Sequence, residues 1–177
     1  MKMRIVFLAL ALVFLSQAAP AQQKLSESNL APLQFLLGKW EGEGSAEAGR
    51  GSGYFTFEAS LQDKVLVRRN HSEYRQARDR RVYQHDDLMI VYVDAVTKQI
   101  RAFYTDNEQH VINYAISVSG DAKSVTFLSD AETGVPRYRL TYAVTQPDKM
   151  SVTLEAAQPD KPDQFQRIVE GMVKKIG

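Results

Sequence analysis

The stretch Leu36–Phe55, LLGKWEGEGSAEAGRGSGYF, decides the fold. Five glycines, Gly42, Gly44, Gly49, Gly51 and Gly53, fall between Trp40 and Tyr54, half of the ten in the chain. A dinucleotide-binding loop requires G-x-G-x-x-G between a strand and a helix. Here the order is Gly42, Gly44, Gly49, with a helical turn before the stretch and strands after it, so spacing and context both fail. Glycine within a strand otherwise marks a bulge, a sharp bend or the close approach of another backbone. The stretch therefore reads as a first strand that bends across the end of a barrel.

On its N-terminal side, LAPLQFLLG reads as a short helical turn over Leu30–Leu37 that stops at Gly38, a residue suited to helix ends. On its C-terminal side the apolar residues alternate with period two. Phe55, Phe57, Ala59 and Leu61 share one face, as do Ile112, Tyr114, Ile116 and Val118, and again Met150, Val152 and Leu154. Such alternation marks strands with one buried face. About ten strands are expected, centred near Glu43, Phe57, Val67, Ile90, Phe103, Tyr114, Phe127, Leu140, Val152 and Val169. The turns LQDK, DAVTK, TDNEQ, SGDAK, QPDK and QPDKPDQ separate them. Short connections make sequence neighbours antiparallel, and the absence of long helical patterns argues against a parallel α/β sheet. The expected fold class is all-β: an antiparallel up-and-down barrel of about ten strands, its free edges removed by closure, with the helical turn closing one end.

The first residues read as a secretion signal. Lys2 and Arg4 precede an apolar run of 11 residues, Ile5 to Leu15, and Ala19 and Ala21 form an A-x-A-type cleavage site. The run is well short of the roughly 20 residues that span a bilayer. The expected organisation is a signal peptide over 1–21 and a single barrel domain over 22–177, exported to the periplasm or the exterior. Losing Lys2 and Arg4 takes the formal charge from +1 to −1, a balance without the concentrated basic face that nucleic acid requires. There is no cysteine, hence no disulfide, thiolate metal site or lipid-modified cysteine. Arg75, Arg78, Arg80 and Arg81 follow Arg68 and Arg69 closely; this Arg-rich segment reads either as solvated loop or as an anion-attracting rim at the barrel mouth.

The residues LLGKWEGEG are similar to the G-x-W-x-G-x-G opening strand of calycin-type β-barrels, which include lipocalins, fatty-acid-binding proteins and nitrobindin-like haem barrels. The match is carried by Gly38, Trp40, Gly42 and Gly44. Through this strand, one like KVLVRRNHSEY and the last strand, the chain most resembles the bacterial DUF1579-like proteins of unassigned function. The resemblance implies a barrel whose closed end is plugged by Trp40 and the N-terminal turn, with a basic residue over the indole. Antiparallel closure of the last strand on the first brings Lys174 or Lys175 to that place, a cation–π contact of roughly 0.5–1 kcal/mol.

Catalytic patterns are not found. His71, His85 and His110 form no H-x-x-x-H or H-x-H pair, although His85 and Asp87 share a strand face. No metal site is expected, and Ser52 lacks the following helix of a nucleophile elbow. Ten strands leave more interior room than eight, which their own side chains about fill. The expected function is binding of a small apolar or amphipathic ligand, without chemistry of its own. The expected lining is Phe55, Phe57, Ile112, Tyr114, Ile116, Tyr138, Tyr142, Val152 and Leu154. Arg167, on the apparent apolar face with Phe165, Val169 and Val173, is expected to anchor a ligand carboxylate, as internal arginine and tyrosine do in the fatty-acid-binding proteins it resembles. Two rival readings stand beside this one. The first is a nitrobindin-like haem barrel acting on nitrogen oxides or peroxides; it is disfavoured because haem needs a histidine ligand and none follows His110. The second is a protein-interaction module using the outer barrel face or the Arg-rich loop. Processing at the signal is checked by N-terminal sequencing of exported protein, which is expected to begin at Gln22; material that begins at Met1 would rule out cleavage.

Overall fold

A computed structural model describes residues 25, 29–43, 52–75 and 81–177. Ten antiparallel strands form a closed up-and-down barrel. They are β1 (Gly38–Gly42), β2 (Ser52–Ser60), β3 (Val65–Arg75), β4 (Val82–Val93), β5 (Ile100–Asp106), β6 (Val111–Val118), β7 (Ser124–Ser129), β8 (Arg137–Gln146), β9 (Lys149–Ala157) and β10 (Gln166–Lys175). Every strand pairs with its sequence neighbours, and β1 closes on β10 through Trp40↔Lys175, Glu41↔Lys174 and Gly42↔Val173. The first strand is shorter than expected: it ends at Gly42, one residue before the anticipated centre at Glu43. The signal segment, Gly44, Gly49, Gly51, Arg78 and Arg80 lie outside the described residues.

Alternation explains which face each strand buries. Inward-facing Phe57, Leu66, Met89, Val91, Ala102, Val125, Phe127, Tyr142 and Met150 have no solvent exposure. The outer face carries Glu58, Arg69, Asp86, Arg101, Arg139 and Glu155 beside threonines and serines, together with a row of Val67, Ile90 and Phe103. Among the described residues no helix is long and apolar enough to cross a membrane.

One end of the barrel is plugged. A 3-10 turn over Ala31–Leu36, with Pro32 in its first turn, places Leu33 and Leu36 in the core beside Leu25 and Leu30, all four without exposure. Full burial of such a side chain contributes about 1.5–3 kcal/mol. The Trp40 indole N–H donates to the Leu36 carbonyl at 2.8 Å, so the plug and β1 are held as one unit. Lys175 Nζ lies 5.4 Å from the centre of the Trp40 ring, while Lys174 is exposed opposite Glu41.

Gly38 makes this arrangement possible. Its φ is +112°, and a Cβ there would lie 2.6 Å from Lys175 Cε. Gly53 answers to a different constraint, since a Cβ there would stand 2.5 Å from the His71 carbonyl oxygen of the neighbouring strand. Gly38→Ala is expected to lower stability by about 1–3 kcal/mol, because it combines a strained backbone with displacement of the Lys175 side chain. A denaturant titration followed by Trp40 fluorescence reads both effects, and an unchanged midpoint would refute the requirement.

Candidate functional site

Part of the barrel interior is filled by aromatic rings, and part of its apolar lining is only partly buried. Aromatic rings from five strands meet edge to face across the filled part. Phe55 packs on Phe57 at 5.9 Å between centroids and on Tyr142 at 5.5 Å; Tyr142 in turn meets Phe57 at 5.7 Å and Phe127 at 5.9 Å. Tyr114 joins Phe127 at 6.2 Å, and Tyr104 joins Tyr114 at 6.3 Å. Ten strands enclose a wide interior, and only large rings span it. Of the expected lining, Phe55, Phe57, Tyr114 and Tyr142 therefore belong to a packed core, with Tyr142 and Phe57 wholly buried. Ile112, Ile116, Tyr138, Val152 and Leu154 face inward as well, but they are only partly buried and pack against the edge of that core. Val169, opposite Leu154 on β10, is 52% exposed.

Against this apolar wall stands a polar corner. Arg68 of β3, alternating with buried Leu66, points into the barrel with its guanidinium 5.4 Å from the Phe55 ring. It forms an ion pair with Asp87 of β4, and the two side chains are 8% and 4% exposed. Burial pushes the Asp87 carboxyl above its ordinary range, against the opposing pull of Arg68 and the hydrogen bond from Asn70. Arg68 Nε and the Tyr142 hydroxyl are both buried without a hydrogen-bond partner. A buried unsatisfied polar group costs about 1–3 kcal/mol. Burial pushes the Tyr142 hydroxyl up to about 12, so it is protonated at neutral pH and available as a donor.

The corner continues toward the open end as a hydrogen-bonded chain. His85 Nε2 and the Tyr104 hydroxyl are 3.1 Å apart, and Tyr104 donates to Asp106 at 3.1 Å. His85 also lies 3.6 Å from Asp87. Burial works against the Asp106 charge, but N–H donors of His110 and Glu108, the His110 ring and Tyr104 together hold its carboxyl below the ordinary range. Asp106 thereby fastens the turn between β5 and β6. His71 lies on the outer side, 2.7 Å from Asp86, which raises its pKa; the two help line an open groove of about 480 Å³ with Tyr54, Arg69 and Leu88. Among the described residues no group of three or more His, Cys, Asp or Glu side chains is arranged to hold a metal ion.

Arg167 is not part of this site. The register of β10 against β9 shifts between Arg167 and Val169, so Ile168 is an extra residue. A bulge reverses the alternation of everything on its far side. Val169, Gly171 and Val173 consequently stand opposite inward Leu154, Val152 and Met150, whereas Arg167 stands opposite outward Glu155. Its side chain is 61% exposed and paired with Glu170 on the outer surface. Arg139, held by Glu155 through two hydrogen bonds of 2.6 and 2.8 Å, packs over Phe165 at 4.3 Å on the same side. The expectation of an internal anchor at Arg167 fails for this reason, and the buried arginine is Arg68.

Arg68, Asp87, Tyr104 and Asp106 were not singled out as site residues by sequence reasoning. In KVLVRRNHSEY, Leu66 precedes Arg68 on one face of the strand and Val65 and Val67 precede Arg69 on the other, so both faces begin apolar and alternation alone does not say whether Arg68 or Arg69 turns inward. The shared face of His85 and Asp87 was the usable signal, and it points to the same corner. Compared with protein-family models and with curated protein sequences, the chain matches none.

The Arg68–Asp87 pair makes a stability prediction. Asp87→Leu strands a buried guanidinium and is expected to destabilise the barrel by about 3–5 kcal/mol, and Arg68→Met strands the buried carboxylate. The double variant Arg68→Met/Asp87→Leu is expected to recover most of that loss. Chemical denaturation of the wild type, both single variants and the double variant closes the cycle. Additive losses would show that the two side chains are not coupled.

Proposed function

We propose that this protein is a carrier that binds a small, largely apolar or amphipathic molecule on the partly buried lining of the barrel. One observation carries the reading: an inward-facing apolar wall of Ile112, Tyr138, Val152 and Leu154 is only partly covered by the protein itself. That wall ends at a corner where Arg68 Nε and the Tyr142 hydroxyl have no regular hydrogen bond. Apolar lining with a few oriented polar groups is the composition of small-molecule sites. The ligand's apolar part lies on the wall, and the aromatic rings form a rigid floor. Binding alone accounts for these features, and the proposed role involves no chemistry by the protein.

Carriage outside the cytoplasm belongs to the same proposal, supported by the apolar run Ile5–Leu15 behind Lys2 and Arg4 and by the small residues Ala19 and Ala21 after it. Kinship with calycin-type barrels, and with the DUF1579-like group among them, is part of it too. Its support is the Gly38-Lys39-Trp40 opening strand and the lysine over the indole.

Titration with Nile red, a neutral lipophilic dye whose emission reports an apolar environment, tests the reading. Saturable one-to-one binding is expected in the wild type. Val152→Asp and Leu154→Asp are each expected to weaken it about tenfold or more while the far-ultraviolet β-sheet signal persists, since each places a charge on the wall. A flat titration in the wild type, or equal affinity in all three proteins, would overturn it.

A further inference from the structure

We infer that the corner of Arg68, Asp87 and Tyr142 receives an uncharged oxygen acceptor, a carbonyl or hydroxyl oxygen, and discriminates against a carboxylate. The inference rests on the binding reading above and specifies the head group of the molecule bound.

Two neighbouring buried groups define the position: the Arg68 guanidinium and the Tyr142 hydroxyl interact with one another, and neither Arg68 Nε nor the hydroxyl has a regular hydrogen bond. Arg68 Nε–H can only donate, and the Tyr142 hydroxyl is protonated and buried. Both groups belong to residues packed on the same ring, with the Arg68 guanidinium 5.4 Å and the Tyr142 ring 5.5 Å from Phe55. Tyr142 also stands directly opposite Val152 of the half-covered wall, so the corner adjoins the place where the apolar part of a ligand would lie. A carbonyl oxygen has two lone pairs and can accept from both donors at once.

Charge decides what kind of oxygen fits. Arg68 is already neutralised by Asp87 in a pair that is almost fully buried. Directly across β4 and β5, Asp87 stands opposite Asp106, whose side chain is 2% exposed. Glu108 lies nearby, 3.7 Å from His85. One buried guanidinium thus faces two buried carboxylates, and the local cationic partners beyond it are the rings of His85 and His110 when protonated. An incoming carboxylate would add a further negative charge where solvent screens poorly, or would have to displace Asp87 and leave it bare in the interior. A neutral acceptor satisfies both donors and leaves the ion pair intact.

The test is displacement of Nile red by three molecules of equal chain length: methyl dodecanoate, dodecanoate well above its own pKa, and dodecane. The ester is expected to bind about tenfold or more tightly than either of the others. Tyr142→Phe is expected to bring ester and hydrocarbon to within about threefold of one another while hydrocarbon binding persists. Arg68→Lys, which keeps the charge opposite Asp87 and removes the Nε–H, is expected to do the same. Circular dichroism and Trp40 fluorescence establish that both variants are folded. Dodecanoate binding as tightly as the ester would overturn the inference and leave the carrier reading in place. Ester and hydrocarbon binding alike in the wild type would also overturn it, since a resident water would then be satisfying the corner. Failure of all three to displace the dye would remove the carrier reading itself, and this inference with it.

Discussion

Closure of β1 on β10 is the contact on which the rest of this barrel depends. Without it, a ten-stranded sheet would carry two free edges, on β1 and β10, each a row of unpaired backbone donors and acceptors. The seam is short, three paired positions extended by hydrogen bonds from Glu43 N–H to Met172 and from Ile176 N–H to Lys39. It is reinforced by side chains at its ends. Lys175 covers Trp40, Trp40 is tied to Leu36, and the Lys149–Glu43 ion pair at 2.7 Å joins β9 to the residue following β1. The glycine at position 38 leaves room for the lysine stem, so a backbone requirement and a side-chain contact meet at one residue. The buried leucines behind the seam then plug the end it closes.

Inside, the protein balances filling against opening. A ten-stranded barrel is too wide for aliphatic side chains to meet across it, and the edge-to-face chain from Phe55 to Tyr104 is how this one gains a core. The wall on β6, β8 and β9 packs against these rings but is only partly buried. On β3, β4 and β5 a guanidinium and two carboxylates are held where apolar residues would pack more cheaply. A buried ion pair adds little to stability relative to apolar packing of the same volume, but it fixes orientation, and its neutral total sets the charge that a neighbouring ligand can carry.

Much of the architecture was legible in the residues. Alternation in Phe55–Ala59, Ile112–Val118 and Met150–Leu154 marked inward faces, and the short turns between them enforced antiparallel neighbours; Leu61, expected on the same face as Phe55, instead lies past the end of β2 in a turn and is 71% exposed. Those inferences hold because side-chain direction in an unbroken strand has a period of two, so that one buried residue assigns its neighbours. Arg167 shows where the rule stops. Ile168 is an extra residue in the ladder, and nothing local in FQRIVEGMV distinguishes a bulged strand from a regular one. Arg68 shows the second limit, since Leu66 precedes it on one face of β3 while Val65 and Val67 precede Arg69 on the other, and the parity of the strand is set by its partners, not by its own pattern.

The sequence by itself therefore determined the all-β class, the number of strands, their antiparallel order and the glycine-and-tryptophan opening strand. All of these follow from local periodicity and turn chemistry. Only the tertiary structure decided which arginine is internal, that Asp87 compensates it, and that the rings of Phe57, Phe127 and Tyr142 are wholly buried while Val152 and Leu154 are only partly so. Those properties depend on register across the barrel and on which side chains meet from strands far apart in the chain. A one-residue bulge or a change of partner alters them without changing the local pattern.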